Sequence, residues 1–404
     1  MTYLELLGRL VSARRFGVRF GLERMQELLA KVGEPSLGTV IHVGGTNGKG
    51  STVAMIAALA RAAGKRVATY TSPHLSTLRE RVTIDGALLS EAAWLDAAAR
   101  ISSAGGDELT FFEQLTAIGM ALISDANVDV TVLEVGLGGR LDATNVVDAP
   151  VAVVTGVAMD HEAILGHTLD AIAREKAGIW KRGRRAIIGT SGEPAAVPLL
   201  AELAREAGAD VEIVGEADVA RVPPLSLAGA HQRRNAAAAI AAVCAAGMPV
   251  IEGALAGVVH PGRFERAGDL ILDGAHNPHG ARALAATLRE LAIKPVLVTA
   301  ISADKDARAM LAELAGEVRA IVATRYAQER AMPPAELAAI AHEVAGAIPI
   351  ETADDAIAAI ARARQLGAPV LVAGSLFVVG EVRAALLGAP ADPVRTSDPP
   401  ATSS

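Results

Sequence analysis

Several kinds of protein are excluded by what the chain lacks. It has one cysteine, Cys244, in 404 residues, so no intramolecular disulfide framework is possible and a reducing cytoplasm fits. Cys244 sits in an alanine-rich helical stretch and reads as a small core residue. Aromatics make up only 3%. Ala, Val and Leu must therefore fill the core, and composition marks no aromatic surface for stacking bases. The net charge is −7 and no dense Lys/Arg run occurs, which argues against a nucleic-acid partner. Arg14-Arg15 and Arg184-Arg185 read as solvated pairs. The longest apolar run, Ala236–Ile251, is mostly Ala and contains Gly247 and Pro249. It falls short of the ~20 residues of a membrane span and reads as a buried helix followed by a turn. The N-terminus lacks an apolar signal core and a small-residue cleavage site. A cytoplasmic monomer with no membrane partner is expected.

What remains is a globular chain, 51% apolar and 21% charged, long enough for two domains. Its most informative stretch is residues 41–52, Ile-His-Val-Gly-Gly-Thr-Asn-Gly-Lys-Gly-Ser-Thr. The run Thr39–Val43 reads as a buried strand. A glycine-rich turn follows, then a helical pattern with Val53, Ile56, Ala57 and Ala60 on one face. Such a turn curls backbone N–H groups around a phosphate at a helix N-terminus. Asn47, Gly48 and Gly50 shape the cradle, and Lys49 can reach terminal phosphate oxygens. The hydroxyl of Ser51, or less readily Thr52, can hold Mg²⁺. The pattern departs from the usual P-loop at two places: Val43 occupies the first-glycine position, and Gly50 separates Lys49 from Ser51.

Further strand-like runs alternate with helical stretches: Arg66–Tyr70, Asp129–Val135, Val151–Thr155, Ala186–Gly189 and Val211–Val214. A helical pair lies within about 90–126. A second series holds Leu270–Asp273, Pro295–Thr299, Ala320–Ala323 and Val370–Ala373. The fold class expected is α/β: a P-loop-containing, mostly parallel sheet domain over 1–255, then a smaller Rossmann-like domain over 256–388. The boundary falls between Gly247 and Pro261. Residues 389–404, rich in Pro, Ser, Thr and Asp, are expected to be disordered. In parallel sheets ligands gather at the carboxyl ends of strands. The polar clusters Gly44–Ser51, Thr71–Leu75, Gly136–Asn145 and Asp160-His161 would converge there.

Glu134 ends an apolar run beside the phosphate loop, where a carboxylate can hold Mg²⁺ or instead pair with Arg140. Asp160-His161 follows another strand. Imidazole is an uncommon Mg²⁺ ligand, so from spacing alone His161 reads as a helix cap bonded to Asp160. Leu169, Ile172, Ala173, Lys176 and Trp180 share a helical face. That places Lys176 on an apolar stripe, where burial favours the neutral amine unless the side chain snorkels out or pairs with a Glu. Asp273-Gly-Ala-His276-Asn-Pro278 and Pro261-Gly-Arg263-Phe-Glu265 are turn motifs of the second domain. His231-Gln232-Arg233-Arg234-Asn235 opens a helix.

The ordered set resembles folylpolyglutamate synthase / dihydrofolate synthase, a family of the Mur ligase superfamily. The set comprises Gly45–Ser51, Thr71–Leu75, Phe112-Glu113 with Leu115–Ala117, Leu133–Asn145, Asp160-His161, Leu165-Gly166 and Glu175–Ile179. It continues through His231-Gln232 with Asn235, Pro261–Glu265 and Asp273–Pro278. The resemblance runs from about Gly21 to Arg383. It departs at Gly44, where the family often has Ala, and at Gly156–Met159, which replaces an Asn-containing run.

The resemblance implies ATP-dependent amide ligation of L-glutamate to dihydropteroate or to folates through an acyl phosphate. Lys49 and Ser51 would serve ATP and a first Mg²⁺, a site completed by Ser72 and Glu134. His161 and a carbamylated Lys176 would serve a second Mg²⁺. Asn235, Arg263 and Asp273 would contact ATP. Thr110, Phe111, Phe112 and Glu113, with Leu141, Asp142 and Ala143, resemble pterin-binding segments, and His276 a substrate contact. The alternatives are folylpolyglutamate synthase activity alone, a peptidoglycan-type Mur ligase, or a nucleotide-binding regulator that retained the fold. Retention of Lys49, Glu134, His161 and Lys176 together speaks for the enzyme.

Overall fold

The computed structural model describes residues 1–394 except Val18 and Phe20, and also Thr396. The chain divides into two compact units. Of the described residues, the first comprises those within 1–226 and 231–258 with 392–394 and Thr396; the second comprises 227–230 and 259–391.

The first unit is built on a sheet of β1 (Thr39–Gly44), β2 (Val67–Tyr70), β3 (Val82–Ile84), β4 (Ala87–Leu88), β5 (Val130–Glu134), β6 (Val151–Val154), β7 (Arg185–Ile188) and β8 (Asp210–Ile213). Their order is β4-β3-β2-β5-β1-β6-β7-β8. All neighbours pair in parallel except β2 with β3 and β3 with β4. A central parallel strand is covered on both faces, so β1 needs an unbroken buried run rather than alternation. Residues 40–44 are indeed all buried. Val43 lies opposite Glu134 on one side and Val153 on the other. That register brings the loops after β1, β5 and β6 to one carboxyl edge.

The second unit holds β9 (Glu265–Ala267), β10 (Leu270–Leu272), β11 (Val296–Thr299), β12 (Ala320–Ala323), β13 (Ile350–Thr352) and β14 (Val370–Ala373), ordered β13-β12-β11-β14-β10-β9. Only β9 runs antiparallel to its neighbour. The α/β expectation, with two mostly parallel sheets, is met. Among the described residues no helix is long and apolar enough to cross a membrane.

Two expectations differ from the structure. Cys244 is exposed, not core: it lies in the last turn of the helix Ala230–Ala245, just after the buried Ala241, Ala242 and Val243. Residues 389–404 were expected to lack structure, and Arg395 and 397–404 lie outside the described residues. Within the described part, Asp392 is anchored on the first unit. Its carboxylate accepts from Thr77 Oγ1 at 2.7 Å, the Leu78 amide at 2.7 Å and Tyr3 Oη at 3.2 Å. A carboxylate with three donors holds its segment whatever the local composition favours.

Helix Phe111–Ala126 is buried along most of its length and packs close to β2. A Cβ on Gly119 would stand 2.7 Å from Tyr70 Cε2, and Tyr70 is itself fixed by a 3.0 Å hydrogen bond to Thr116 Oγ1. Gly119→Val should therefore overpack this contact and cost roughly 2 kcal/mol. The urea midpoint should fall in proportion; an unchanged midpoint would show that Tyr70 can give way.

Candidate functional site

β1 ends in the turn Gly45–Gly48, which enters the helix Lys49–Ala62. Two glycines are required there. Gly45 has φ 138°, and a Cβ would lie 2.0 Å from Thr155 Oγ1. Gly48 has φ 84°, and its Cβ would lie 2.4 Å from Asn235 Oδ1. No side chain caps this helix, so its first-turn amides remain available to an anion. The turn is stitched to the loop after β6. The Thr46 amide donates to Gly156 O at 2.9 Å, Thr46 Oγ1 to Ala158 O at 3.1 Å, and Thr155 Oγ1 to Asn47 O at 2.6 Å. The residues at 156 and 158 act through their backbone carbonyls, so the unusual Gly156–Met159 run still holds the loop.

Lys49 Nζ folds back on its own loop and donates to Gly45 O at 3.1 Å and Thr46 O at 3.3 Å. Lys176 Nζ donates to the same Gly45 O at 3.1 Å. Lys176 lies in the helix Leu169–Ala177 with Ile172 and Ala173 buried beside it, as the apolar stripe requires. It is only 4% exposed. Burial, reinforced by the Lys49 charge, pushes its pKa down to about 7.

Glu134 ends β5, is buried, and accepts from the Ser72 amide at 3.1 Å. Arg140 pairs with Glu175 at 2.7 Å, so its salt bridge goes to that residue rather than to Glu134. Ser51 is buried and receives a 3.2 Å hydrogen bond from Gln232 Nε2. Thr52 Oγ1 is also buried and has no hydrogen-bond partner among the described residues. His161 adopts φ 53°, an uncommon conformation for a residue other than glycine, and its amide donates to Asp160 Oδ1 at 2.9 Å. Among the described residues no three His, Cys, Asp or Glu side chains are grouped to hold a metal. The donors at this edge are instead mostly hydroxyl and carboxylate oxygens (Ser51, Ser72, Glu134), a set that suits Mg²⁺. An amine does not; Lys176 would join such a set only as an anionic oxygen ligand.

Thr110 caps the helix Phe111–Ala126 in a reciprocal box with Glu113. Glu113 Oε2 accepts from the Thr110 amide at 2.9 Å, and Oε1 accepts from Arg24 Nη2 at 2.7 Å. Its carboxylate is thus engaged in fixing the helix start. Phe111 is fully buried, whereas the Phe112 ring lies over Gly136, where a Cβ would come within 2.3 Å of it. Leu141 is half-buried and Ala143 buried. Asp142 accepts from the Leu137 amide at 2.8 Å and from Thr144 Oγ1 at 2.5 Å. Burial pushes its pKa up despite these donors.

His42, in β1, completes this chain with Nε2 2.9 Å from Thr144 Oγ1. The single Thr144 proton goes to Asp142, so the hydroxyl must accept from a protonated Nε2. Sequence reading assigned no role to His42 or Arg24, and marked Gln232 only as part of a helix-opening motif. The only signal for His42 was a polar side chain inside a strand otherwise built of Val and Ile.

The second unit gathers Arg263, Asp273 and His276 at the end of β10. Asp273 accepts from the Phe264 amide at 2.8 Å and the Ala275 amide at 2.9 Å. Burial raises its pKa, and the Arg263 charge opposes that rise. His276 Nδ1 lies 2.8 Å from Gly274 O. Asn235, in contrast, lies in the first unit, bonded through Nδ2 to Gln232 Oε1 at 3.0 Å.

His42 generates a pH prediction. Burial and then Lys181 hold its folded pKa down at about 3, against the ordinary 6.5. The unfolded chain therefore takes up a proton between pH 6.5 and 3 that the folded chain refuses, so this contribution to stability is lost as pH falls through that window. His42→Gln keeps an Nε2 donor but does not titrate. Urea midpoints from pH 7 to 4 should fall faster for the wild type than for the variant; parallel curves would contradict the assignment.

Comparisons with known proteins give the family. The Mur ligase middle domain family matches residues 43–221, and the family described as Mur ligase, glutamate ligase domain matches 262–376. A folylpolyglutamate synthase of Lacticaseibacillus casei is 35% identical over 96% of this chain and 99% of its own length. A probable bifunctional folylpolyglutamate synthase/dihydropteroate synthase of Haloferax volcanii is 35% identical over 95% of this chain, which spans only 50% of that protein. The structure of Escherichia coli FolC in complex with DHPP and ADP matches with a TM-score of 0.86 at 34% identity, covering 96% of this chain and 98% of that one. A bifunctional folylpolyglutamate synthase/dihydrofolate synthase from Yersinia pestis, complexed with AMPPNP and a Mn ion, matches with a TM-score of 0.85 at 32% identity, covering 96% and 98%. The chain belongs to the folylpolyglutamate synthase/dihydrofolate synthase family of Mur ligases.

Proposed function

We propose that the chain is an ATP-dependent amide ligase joining L-glutamate to a pterin-linked carboxylate. The substrates are dihydropteroate, giving dihydrofolate, and (tetrahydro)folates, whose glutamate tail it extends. The observation that carries this reading is the carboxyl edge of the first sheet. Lys49 and buried Lys176 meet there on one carbonyl, in the unit where Glu134 holds the Ser72 loop. A relative in complex with DHPP and ADP and another with AMPPNP and a Mn ion support a nucleotide and a divalent cation as ligands.

A carboxylate is a poor acyl donor until one of its oxygens becomes a phosphate leaving group. In the proposed reaction a substrate carboxylate oxygen attacks the γ-phosphorus of ATP and ADP departs. The neutral amine of glutamate then adds to the acyl phosphate, and the tetrahedral intermediate expels phosphate with that oxygen and leaves the amide. The backbone amides of 47–52 and the Lys49 ammonium take the phosphate charge. To do so Lys49 exchanges its Gly45 and Thr46 carbonyls for phosphate oxygens. Ser51, Ser72 and Glu134 are proposed to hold one Mg²⁺, and His161 with carbamylated Lys176 a second. The cations supply charge neutralisation and orientation when bound. Asn235, Arg263 and Asp273 are proposed as nucleotide contacts, and His276 as a contact for glutamate. Thr110–Glu113 and Leu141–Ala143 are proposed to form the pterin segments, with Glu113 and Asp142 shaping the backbone there. The enzyme is proposed to act as a cytoplasmic monomer on small molecules, without nucleic-acid or membrane partners. The Phe112-Glu113 and 134–145 segments favour a pterin over a UDP-sugar peptide.

Purified protein with ATP, Mg²⁺ and glutamate should add one glutamate mass to dihydropteroate and one or more to tetrahydrofolate. Product from tetrahydrofolate alone would leave only the polyglutamate activity; product from neither would refute the reading. Lys49→Ala should lower turnover by about 10²–10³ without changing the thermal midpoint. Lys176 generates a spectroscopic test. Its neutral fraction grows above pH 7, so in ¹³C-bicarbonate a carbamate carbon signal should strengthen from pH 6 to 8 and vanish in Lys176→Ala. A signal absent at pH 8, or surviving that substitution, would contradict carbamylation.

A further inference from the structure

Ser51 does not stand alone at the start of its helix. It ends a buried chain of hydrogen bonds that begins in a different part of the fold. Ser191 Oγ donates to Asn235 Oδ1 at 2.7 Å, Asn235 Nδ2 donates to Gln232 Oε1 at 3.0 Å, and Gln232 Nε2 donates to Ser51 Oγ at 3.2 Å. Gln232, Asn235 and Ser51 are each no more than 2% exposed. Each amide uses its oxygen toward Ser191 and its nitrogen toward Ser51, so the chain has one polarity throughout.

That polarity has a chemical consequence. A serine hydroxyl has one proton and two lone pairs. An N–H from Gln232 occupies one lone pair. The proton and the second lone pair are thereby left for whatever faces the phosphate loop. A metal-ligating hydroxyl must offer a lone pair to the cation, and its own proton must find an acceptor elsewhere. Reversing the Gln232 bond would draw that proton backwards and turn the oxygen. Asn235 adds a second constraint, because a Cβ on Gly48 would collide with its Oδ1 at 2.4 Å. The same amide that abuts the phosphate turn therefore sets Gln232, which sets Ser51.

We propose that Gln232 is a positioning residue that directs the Ser51 lone pair toward the cation and couples Asn235 to the metal site. This rests on the reading of Ser51 as a cation ligand given above. It makes nucleotide and cation binding mutually reinforcing: whatever seats Asn235 also seats the Ser51 hydroxyl. Gln232 touches neither reacting atom, so its effect belongs in metal affinity and in the coupling between ligands.

The test uses ADP and Mn²⁺ with the full chain, reading free Mn²⁺ by electron paramagnetic resonance and ADP affinity by calorimetry. Gln232→Met preserves the side-chain length and removes both hydrogen bonds. It should leave ADP affinity without metal within about twofold and weaken Mn²⁺ in the ADP complex about tenfold, the loss expected for one hydrogen bond. The Mn²⁺-induced gain in ADP affinity should fall by the same factor. In a Ser51→Ala background the substitution should add nothing further. If Gln232→Met does not fold, judged by metal-free ADP binding, Gln232→Asn is measured in its place. Its amide is one methylene too short for Ser51, and it predicts the same loss. Should Ser51→Ala weaken Mn²⁺ while the Gln232 variant binds it normally, or additively with Ser51→Ala, the coupling is overturned and the Ser51 assignment survives. Should Ser51→Ala leave Mn²⁺ affinity unchanged, the ligand reading itself falls, and this inference with it.

Discussion

Two ammonium groups compete for one carbonyl oxygen, that of Gly45, and the architecture around the phosphate turn answers to that contact. Lys49 and Lys176 both donate to it. Burial, and after it the like charge of Lys49, makes Lys176 lose its proton more readily. The arrangement is stable only while both cations lean on backbone oxygen, and an incoming polyanion would relieve it. The phosphate turn thus places positive charge where an incoming polyanion would be stabilised. Burial and the Lys49 charge favour the neutral amine of Lys176, the form that can add CO₂.

The scaffold exists to hold that oxygen still. Gly45 has no room for a side chain because Thr155 fills the space, and Thr155 in turn fixes the Asn47 carbonyl. The β1–β5 register then fixes Glu134 relative to the turn, with Val43 opposite it. Beneath, the neutral His42 supports Thr144 and through it Asp142, a buried polar column in a region otherwise closed by apolar side chains. Each link uses an N–H or O–H donor where a charge would be costly, which suits a site that must receive charge from its substrates.

Much of this was legible in the chain itself. The strands β6, β12 and β14 are unbroken apolar runs and β1, β5 and β11 are predominantly apolar, as buried parallel strands in an alternating α/β pattern require. Lys176 was legible because helical spacing puts it in line with Ile172 and Ala173. The strands β3, β4, β9 and β13 were not, since each has three residues or fewer, and strands that short carry no periodicity. Gln232 and Ser51 are 181 residues apart and Arg24 and Glu113 are 89 apart, and no local pattern encodes such partners. Cys244 was misplaced because an alanine-rich helix shows no polar face, so the sequence pattern could not tell its buried side from its open one. Asp392 was misplaced because composition describes a segment's own preference and says nothing of Thr77 and Leu78, which hold it.

The central claim is that a substrate carboxylate is activated by transfer of the γ-phosphoryl group to one of its own oxygens. Dihydropteroate labelled with ¹⁸O in its carboxylate, turned over with ATP, Mg²⁺ and glutamate, tests this most directly by mass spectrometry of the phosphate released. The account predicts one ¹⁸O in each phosphate formed, with the amide retaining the other. Phosphate without label, alongside amide product, would contradict it.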